Sequence, residues 1–329
     1  MSITKTLDRA SPYAAAPLAE AVWPPRQILV TGGTGFVGRR LVEALAQAGH
    51  GVIVLSRRAH PGRFPDSVRI VTAIDQIAPA TRIDAIVNLA GESIAGGLWT
   101  RARRARILES RRHMAALCFQ LAERLDARPE VLITASAIGW YGIRDDEALD
   151  ESSAGTPCFS REICETIEQG AARCAELGLR VAALRIGLVL DRSGGMLGRM
   201  LLPFRLGLGG SFGAGLHWMS WIHRDDLVRL ICHCIADPAL SGPVNAVAPE
   251  PVRNRDFVRA LGRALHRPAV IPVPALPLRL VLGQFAEELL LGGQRVVPAR
   301  AEASGFTFRY PRLEAALDAI VGHEKGDAR

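Results

Sequence analysis

Apolar, β-branched runs alternate along this chain with longer stretches in which apolar residues recur every three or four positions. The runs at residues 28–31, 52–55, 69–72, 85–89, 131–135 and 181–186 read as strands. Helices are expected over 36–48, 100–125, 160–177 and 224–236, with Gly49 and Gly178 as their stops. Strands that are apolar along nearly their whole length need cover on both faces, which a parallel sheet between two layers of helices supplies. The expected fold class is therefore α/β: a doubly wound parallel-sheet Rossmann fold with a smaller C-terminal lobe.

The pattern also divides the chain. Residues 1–25 are rich in Ser, Ala and Pro, lack periodicity and end in Trp23-Pro24-Pro25, so they read as a flexible extension. Residues 26–190 carry the Rossmann alternation. Past Leu190 the rhythm changes to a Gly-rich loop over 194–215, a strand near 244–247, a helix near 254–265 and a Pro-punctuated tail, so residues 191–329 are assigned to the lobe that closes over the sheet edge.

Composition narrows the partners. The formal charge is +7, yet Lys5 and Lys325 are the only lysines, so arginine carries it. Those arginines are spread along the chain and not striped with aromatics, which argues against nucleic acid. Without an apolar run of membrane-spanning length, no membrane partner is expected. Six cysteines without disulfide spacing fit a reducing cytoplasm. Cys232 and Cys234 flank His233, but helical neighbours two apart face different ways, so core packing is the better reading than a metal.

The strongest local signal is Ile28-Leu29-Val30-Thr31-Gly32-Gly33-Thr34-Gly35-Phe36-Val37-Gly38, a buried strand entering a Gly-rich turn that opens a helix. Gly32 permits the tight turn, Gly35 lets the backbone approach a pyrophosphate, and Gly38 lets helix and strand pack closely. Free amides at the helix mouth, including those after Thr34 at Phe36 and Val37, then favour the anion. Strand two ends in Ser56-Arg57-Arg58, where an NAD-selective site places a carboxylate for the ribose hydroxyl. Two guanidiniums there match a 2′-phosphate, so NADP is the cofactor expected. At the end of strand four, Leu89, Ala90 and Gly91 are placed to run along the adenosine, and Arg111 on the following helix is the candidate phosphate clamp.

With these residues assembled, the chain resembles the epimerase family of atypical short-chain dehydrogenases/reductases. The resemblance rests on Thr31 to Gly38, Leu55-Ser56-Arg57, Asn88 to Glu92, Trp99 with Ser110-Arg111, and Leu201 to Gly210. It continues through Trp221-Ile222-His223, Asn245 to Pro249 and Gln294 to Pro298, and so covers residues 27–321. It implies an extended Rossmann fold, NADP binding through Gly32 to Gly38, Ser56, Arg57, Leu89, Ala90 and Arg111, a Leu188 backbone contact near the nicotinamide, and a distinct C-terminal module from about Pro274.

Most of that wider superfamily uses Tyr-x-x-x-Lys, in which lysine lowers the tyrosine pKa and tyrosine exchanges the proton. The pair is absent here: Tyr13, Tyr141 and Tyr310 are the only tyrosines, and none precedes a lysine by four. Ser160 and Cys164 fall at or near the vacated places, and neither is a ready substitute. Ser136 after strand five, and Tyr141 beyond it, are the candidate catalytic donors to a substrate oxygen. His223 reads as structural and Asp225 as a helix N-terminal charge. The expected function is NADP(H)-dependent hydride transfer on a small carbonyl or alcohol; the alternatives are an epimerase and a non-catalytic NADP(H) sensor.

Overall fold

A computed structural model describes residues 24–59 and 62–322 of the chain. The expected extension over 1–25 lies outside the described residues except for Pro24 and Pro25. The frame is a seven-stranded, wholly parallel sheet of β1 (Gln27–Thr31), β2 (Gly51–Leu55), β3 (Val68–Val71), β4 (Ala85–Asn88), β5 (Val131–Ala137), β6 (Arg180–Ile186) and β7 (Gly242–Ala246). Their order across the sheet is β7-β6-β5-β4-β1-β2-β3. The order reverses direction between β1 and β4, the crevice in which open α/β sheets hold ligands.

Alternation of side chains along each strand feeds two cores. Ile28 and Val30 face one layer, with Val87, Leu41 of α1 (Phe36–Gln47) and Val228 of α5 (Arg224–Ala236). Leu29 faces the other, with Ile86, Leu132 and Cys118 and Leu121 of α2 (Arg101–Arg124). Both layers exclude solvent completely at Ile28, Leu29 and Val30, so a polar side chain on either face of β1 would be stranded without water.

Helix ends follow the sequence. Thr100 caps α2 by accepting from Arg103 N at 3.3 Å. Thr100→Ala is expected to cost about 1 kcal/mol, read as a fall in the urea midpoint without a change in slope. The helix expected over 160–177 runs as α3 (Phe159–Ala172) and tightens into a 3₁₀ turn, Arg173–Leu177, before Gly178 at φ +89°.

Two sequence expectations are corrected. The segment 194–215 is not all loop: Gly195–Arg205 forms helix α4, because Leu197, Met200, Leu201 and Phe204 recur at helical spacing and bury against Trp221 and Phe257. Tertiary packing outweighs the local glycine and proline content. The strand near 244–247 is β7, which pairs with β6 and extends the main sheet instead of joining the lobe. What remains of the lobe gathers α4, α6 (Asn254–Ala264) and the last helix, Leu313–Val321, around one apolar cluster. Between them α7 (Ala275–Leu282) leads into a π-helical turn, Glu287–Leu291.

Candidate functional site

The turn between β1 and α1 is as tight as its glycines allow. A Cβ on Gly38 would lie 2.2 Å from the Gly32 carbonyl oxygen, and one on Gly32, at φ +69°, would lie 2.7 Å from the Leu89 carbonyl carbon. Gly35 N donates to Gly32 O at 2.9 Å, closing the loop. Gly35 is the N-cap of α1 and offers no side-chain cap, and the first turn, Phe36, Val37 and Gly38, holds no acidic residue. The mouth of α1 therefore keeps its orphan amides and positive dipole end for an anion. Phe36 closes one side, packed against Gly194.

Ser56, Arg57 and Arg58 follow β2 at the same edge, with both arginines exposed and neither paired to a carboxylate among the described residues. Arg63, which sequence reasoning missed, donates to Thr34 O at 3.0 Å and brings a third guanidinium to the loop. Leu89, Ala90 and Gly91 pass the loop from the other side, tied by Thr31 Oγ1 donating to Asn88 Oδ1 at 2.7 Å. Arg111 reaches this strip from below: its Nη1 donates to Ala90 O at 3.2 Å and its Nη2 to Glu92 O at 2.9 Å. A Cβ at Gly91 would collide with that guanidinium. Arg111 thus braces the Ala90–Glu92 backbone, with burial pulling its pKa below the ordinary value.

Ser136 and Tyr141, expected to face a substrate oxygen, are both turned into a buried side-chain network. Ser136 Oγ donates to Glu168 Oε1 at 2.7 Å. Tyr141 has no solvent exposure, donates to Asn245 Oδ1 at 2.7 Å and accepts from Arg185 Nη1 at 3.2 Å. Burial raises its pKa, against the hydrogen bond and charge of Arg185. Neither residue lines the cavity beyond β5 and β6. The reason is Arg185 on β6, which pairs with Glu168 at 3.0 Å and gathers both hydroxyls into one buried network.

That cavity holds about 220 Å³ and opens at the C-terminal ends of β5 and β6, among Ala137, Ile186, Leu188, Met196 and Phe212. Its polar lining is Ser160 and Cys164 on α3, Cys158, His217, Ser220, Asn254, Glu288 and Gln294. Burial pushes the Cys164 thiol up to about 12, so it stays protonated while donating to Ala137 O at 3.3 Å. Cys158 is raised likewise, by burial and by the charge of Glu288.

His217, also missed from sequence, is lowered to about 4, by burial and then by the charge of Arg253. The folded chain refuses a proton that the unfolded chain accepts near 6.5. Its contribution is therefore complete above that value and lost as pH falls towards about 4. After allowance for partial solvent screening, His217→Gln should recover about 1 kcal/mol of the stability the native chain loses between neutral and mildly acidic pH. Urea titrations at pH 7 and 5.5 with identical losses in both proteins would contradict this.

With this geometry in view, the profile described as the NAD dependent epimerase/dehydratase family matches residues 28–247. The chain belongs to that family. Residues 273–320 match a second profile, Domain of unknown function (DUF1731). Among the family's members, the Arabidopsis thaliana "Epimerase family protein SDR39U1 homolog, chloroplastic" is 38% identical over 305 residues, covering 89% of this chain and 86% of that one. The Homo sapiens epimerase family protein SDR39U1 is 36% identical, covering 90% and 99%. A crystal structure of human SDR39U1 (isoform2) with NADPH superposes at TM-score 0.81 and 33% identity, covering 90% of this chain and 99% of that one. Thermus thermophilus UDP-glucose 4-epimerase shares the fold at TM-score 0.72 and 19% identity. The profile of unknown function spans the segment that brings Glu288 and Gln294 to the cavity of this epimerase-family chain.

Proposed function

We propose that the chain binds NADP(H) and transfers hydride between it and a small carbonyl or alcohol. The observation that carries this is the pair Arg57 and Arg58 at the end of β2, unmatched by any carboxylate among the described residues, beside an α1 mouth without acidic residues. A pyrophosphate fits the uncapped amides of Phe36, Val37 and Gly38, and a 2′-phosphate fits the guanidiniums. Gly32, Thr34 and Gly35 would let the dinucleotide lie against backbone, Ser56 and Leu89 to Gly91 would flank its adenosine end, and Leu188 would stand where the cavity meets it. The NADPH of the human relative, found on a chain covered almost throughout by this one, agrees with that reading.

When bound, the nicotinamide would supply or take the hydride. The chain's part is to exclude water and orient a substrate. A cavity of about 220 Å³, lined by Ile186, Leu188, Met196 and Phe212 with a few polar groups, suits a compact molecule with an apolar body and one oxygen to be held.

Titration of NADPH and NADH by fluorescence, followed by NADPH absorbance against a panel of small aldehydes, ketones and alcohols, tests the proposal. Tight NADPH binding with turnover of at least one panel member is expected; the absence of binding would refute it. A second reading, a non-catalytic NADP(H) sensor, is favoured by the burial of Ser136 and Tyr141, and tight binding without turnover would select it. Tyr141→Phe separates the roles further. It should cost stability of about 1–2 kcal/mol, through Asn245 and Arg185 left without their partner, with turnover unchanged.

A further inference from the structure

Tyr-x-x-x-Lys is absent, and the segment matched by the profile of unknown function brings a carboxylate into the cavity. Among the titratable residues lining the cavity, Cys158 and Cys164 are held as thiols and His217 as a neutral imidazole, while Glu288 is the only carboxylate. Glu288 is 8% exposed, in the π-helical turn, and lies over the start of α3. It accepts from Ser160 Oγ at 2.6 Å, Ser160 N at 2.8 Å and Phe159 N at 3.1 Å, and Gln284 Nε2 donates to its other face. Two backbone amides and a side-chain amide fix the carboxyl group. Its bond to Ser160 then settles how that hydroxyl is used: its proton points to Glu288, and its lone pairs are left to accept from a ligand in the cavity.

We propose that Ser160 and Glu288 form the proton relay of this site, Ser160 being the catalytic residue that meets the substrate hydroxyl and Glu288 the positioning residue that takes the proton through it. This rests on the oxidoreductase reading above. In alcohol oxidation the substrate O–H bond breaks and its proton passes to Ser160 Oγ, while the Ser160 Oγ–H proton passes to Glu288. The C–H hydrogen leaves with its bonding pair as a hydride, which an oxidised nicotinamide dinucleotide would accept, and the pair left on oxygen closes the C=O bond. Carbonyl reduction runs the same path backwards, Glu288 returning its proton through Ser160 to the new alkoxide. Ser136 and Tyr141 take no part, since the Arg185 network holds both hydroxyls outside the cavity.

The full-length protein and its Ser160→Ala, Ser160→Thr and Glu288→Gln variants test this with three readouts. NADPH affinity by fluorescence should stay within about twofold of the native value, because neither residue belongs to the dinucleotide groove. Turnover of the panel member the native protein accepts should fall about a hundredfold in kcat for Ser160→Ala and Glu288→Gln, with KM changed less than about threefold, and Ser160→Thr should restore it to within about tenfold. The infrared carboxylate band of Glu288, isolated as native minus Glu288→Gln, should shift in Ser160→Ala and return in Ser160→Thr, with no cofactor present.

Full kcat in Ser160→Ala would overturn the relay and leave the oxidoreductase reading standing. Loss of NADPH affinity in step with kcat would overturn it as well, reducing Glu288 to a helix cap. A native protein that binds NADPH but turns over no panel member would overturn both. If Glu288→Gln fails to fold, the Ser160→Ala and Ser160→Thr pair decides the matter alone.

Discussion

Replacing Arg57 and Arg58 together with alanine is expected to raise the Kd for NADPH about a hundredfold and that for NADH less than about threefold. Each guanidinium would make a charge-assisted bond to the 2′-phosphate, worth about 1.5–3 kcal/mol where the donor is well placed. Both arginines are exposed, so solvent screening holds their joint contribution slightly below the roughly 3 kcal/mol of two such bonds at the weak end of that range, at about 2.7 kcal/mol, which is a hundredfold in Kd. NADH lacks that phosphate and loses only a diffuse attraction. The rise should also shrink at high salt, since salt screens the attraction between exposed charges. Calorimetric titration of both dinucleotides at two ionic strengths reads all of this, and equal losses for the two would refute the 2′-phosphate assignment.

The arginines were legible in the sequence because their meaning depends only on local order: a strand, its end, and which residue type follows. The same holds for β1 to β6 and for Gly32, Gly35 and Gly38, whose Cβ positions are filled by backbone of the same turn or of the next loop. Whatever depends on long-range packing was not legible. Gly195–Arg205 looks like loop by composition and becomes helix because Trp221 and Phe257 receive its apolar face. Ser136 and Tyr141 occupy the expected segment, yet Arg185, 44 positions beyond Tyr141, reorients both hydroxyls. Glu288 lies 128 positions beyond Ser160 and carries no motif of its own. The second of two adjacent glutamates leading an apolar run, Glu287-Glu288-Leu289-Leu290-Leu291, was the available signal, because a carboxylate against such neighbours is buried only when partnered.

Arg185→Met should be among the most destabilising single changes in the chain, at about 3–5 kcal/mol. Arg185 is 3% exposed, pairs with Glu168 through Nε at 3.1 Å and Nη2 at 3.0 Å, donates to Tyr141 OH at 3.2 Å, and stacks 4.0 Å from the Trp140 ring centre. Methionine fills much of the volume but leaves the largely enclosed Glu168 carboxylate with Ser136 as its remaining partner. The penalty is that of an uncompensated charge and not of a cavity, which a second substitution can show. Arg185→Met combined with Glu168→Leu removes both charges and should recover most of the loss, since apolar replacement of a whole buried pair is often neutral. Chemical unfolding followed by circular dichroism measures each variant. If the double variant proves as unstable as the single one, charge desolvation is not what the network relieves. If Arg185→Met costs under about 1 kcal/mol, the network is too weak to hold Ser136 and Tyr141 away from the cavity, and their exclusion from the chemistry fails with it.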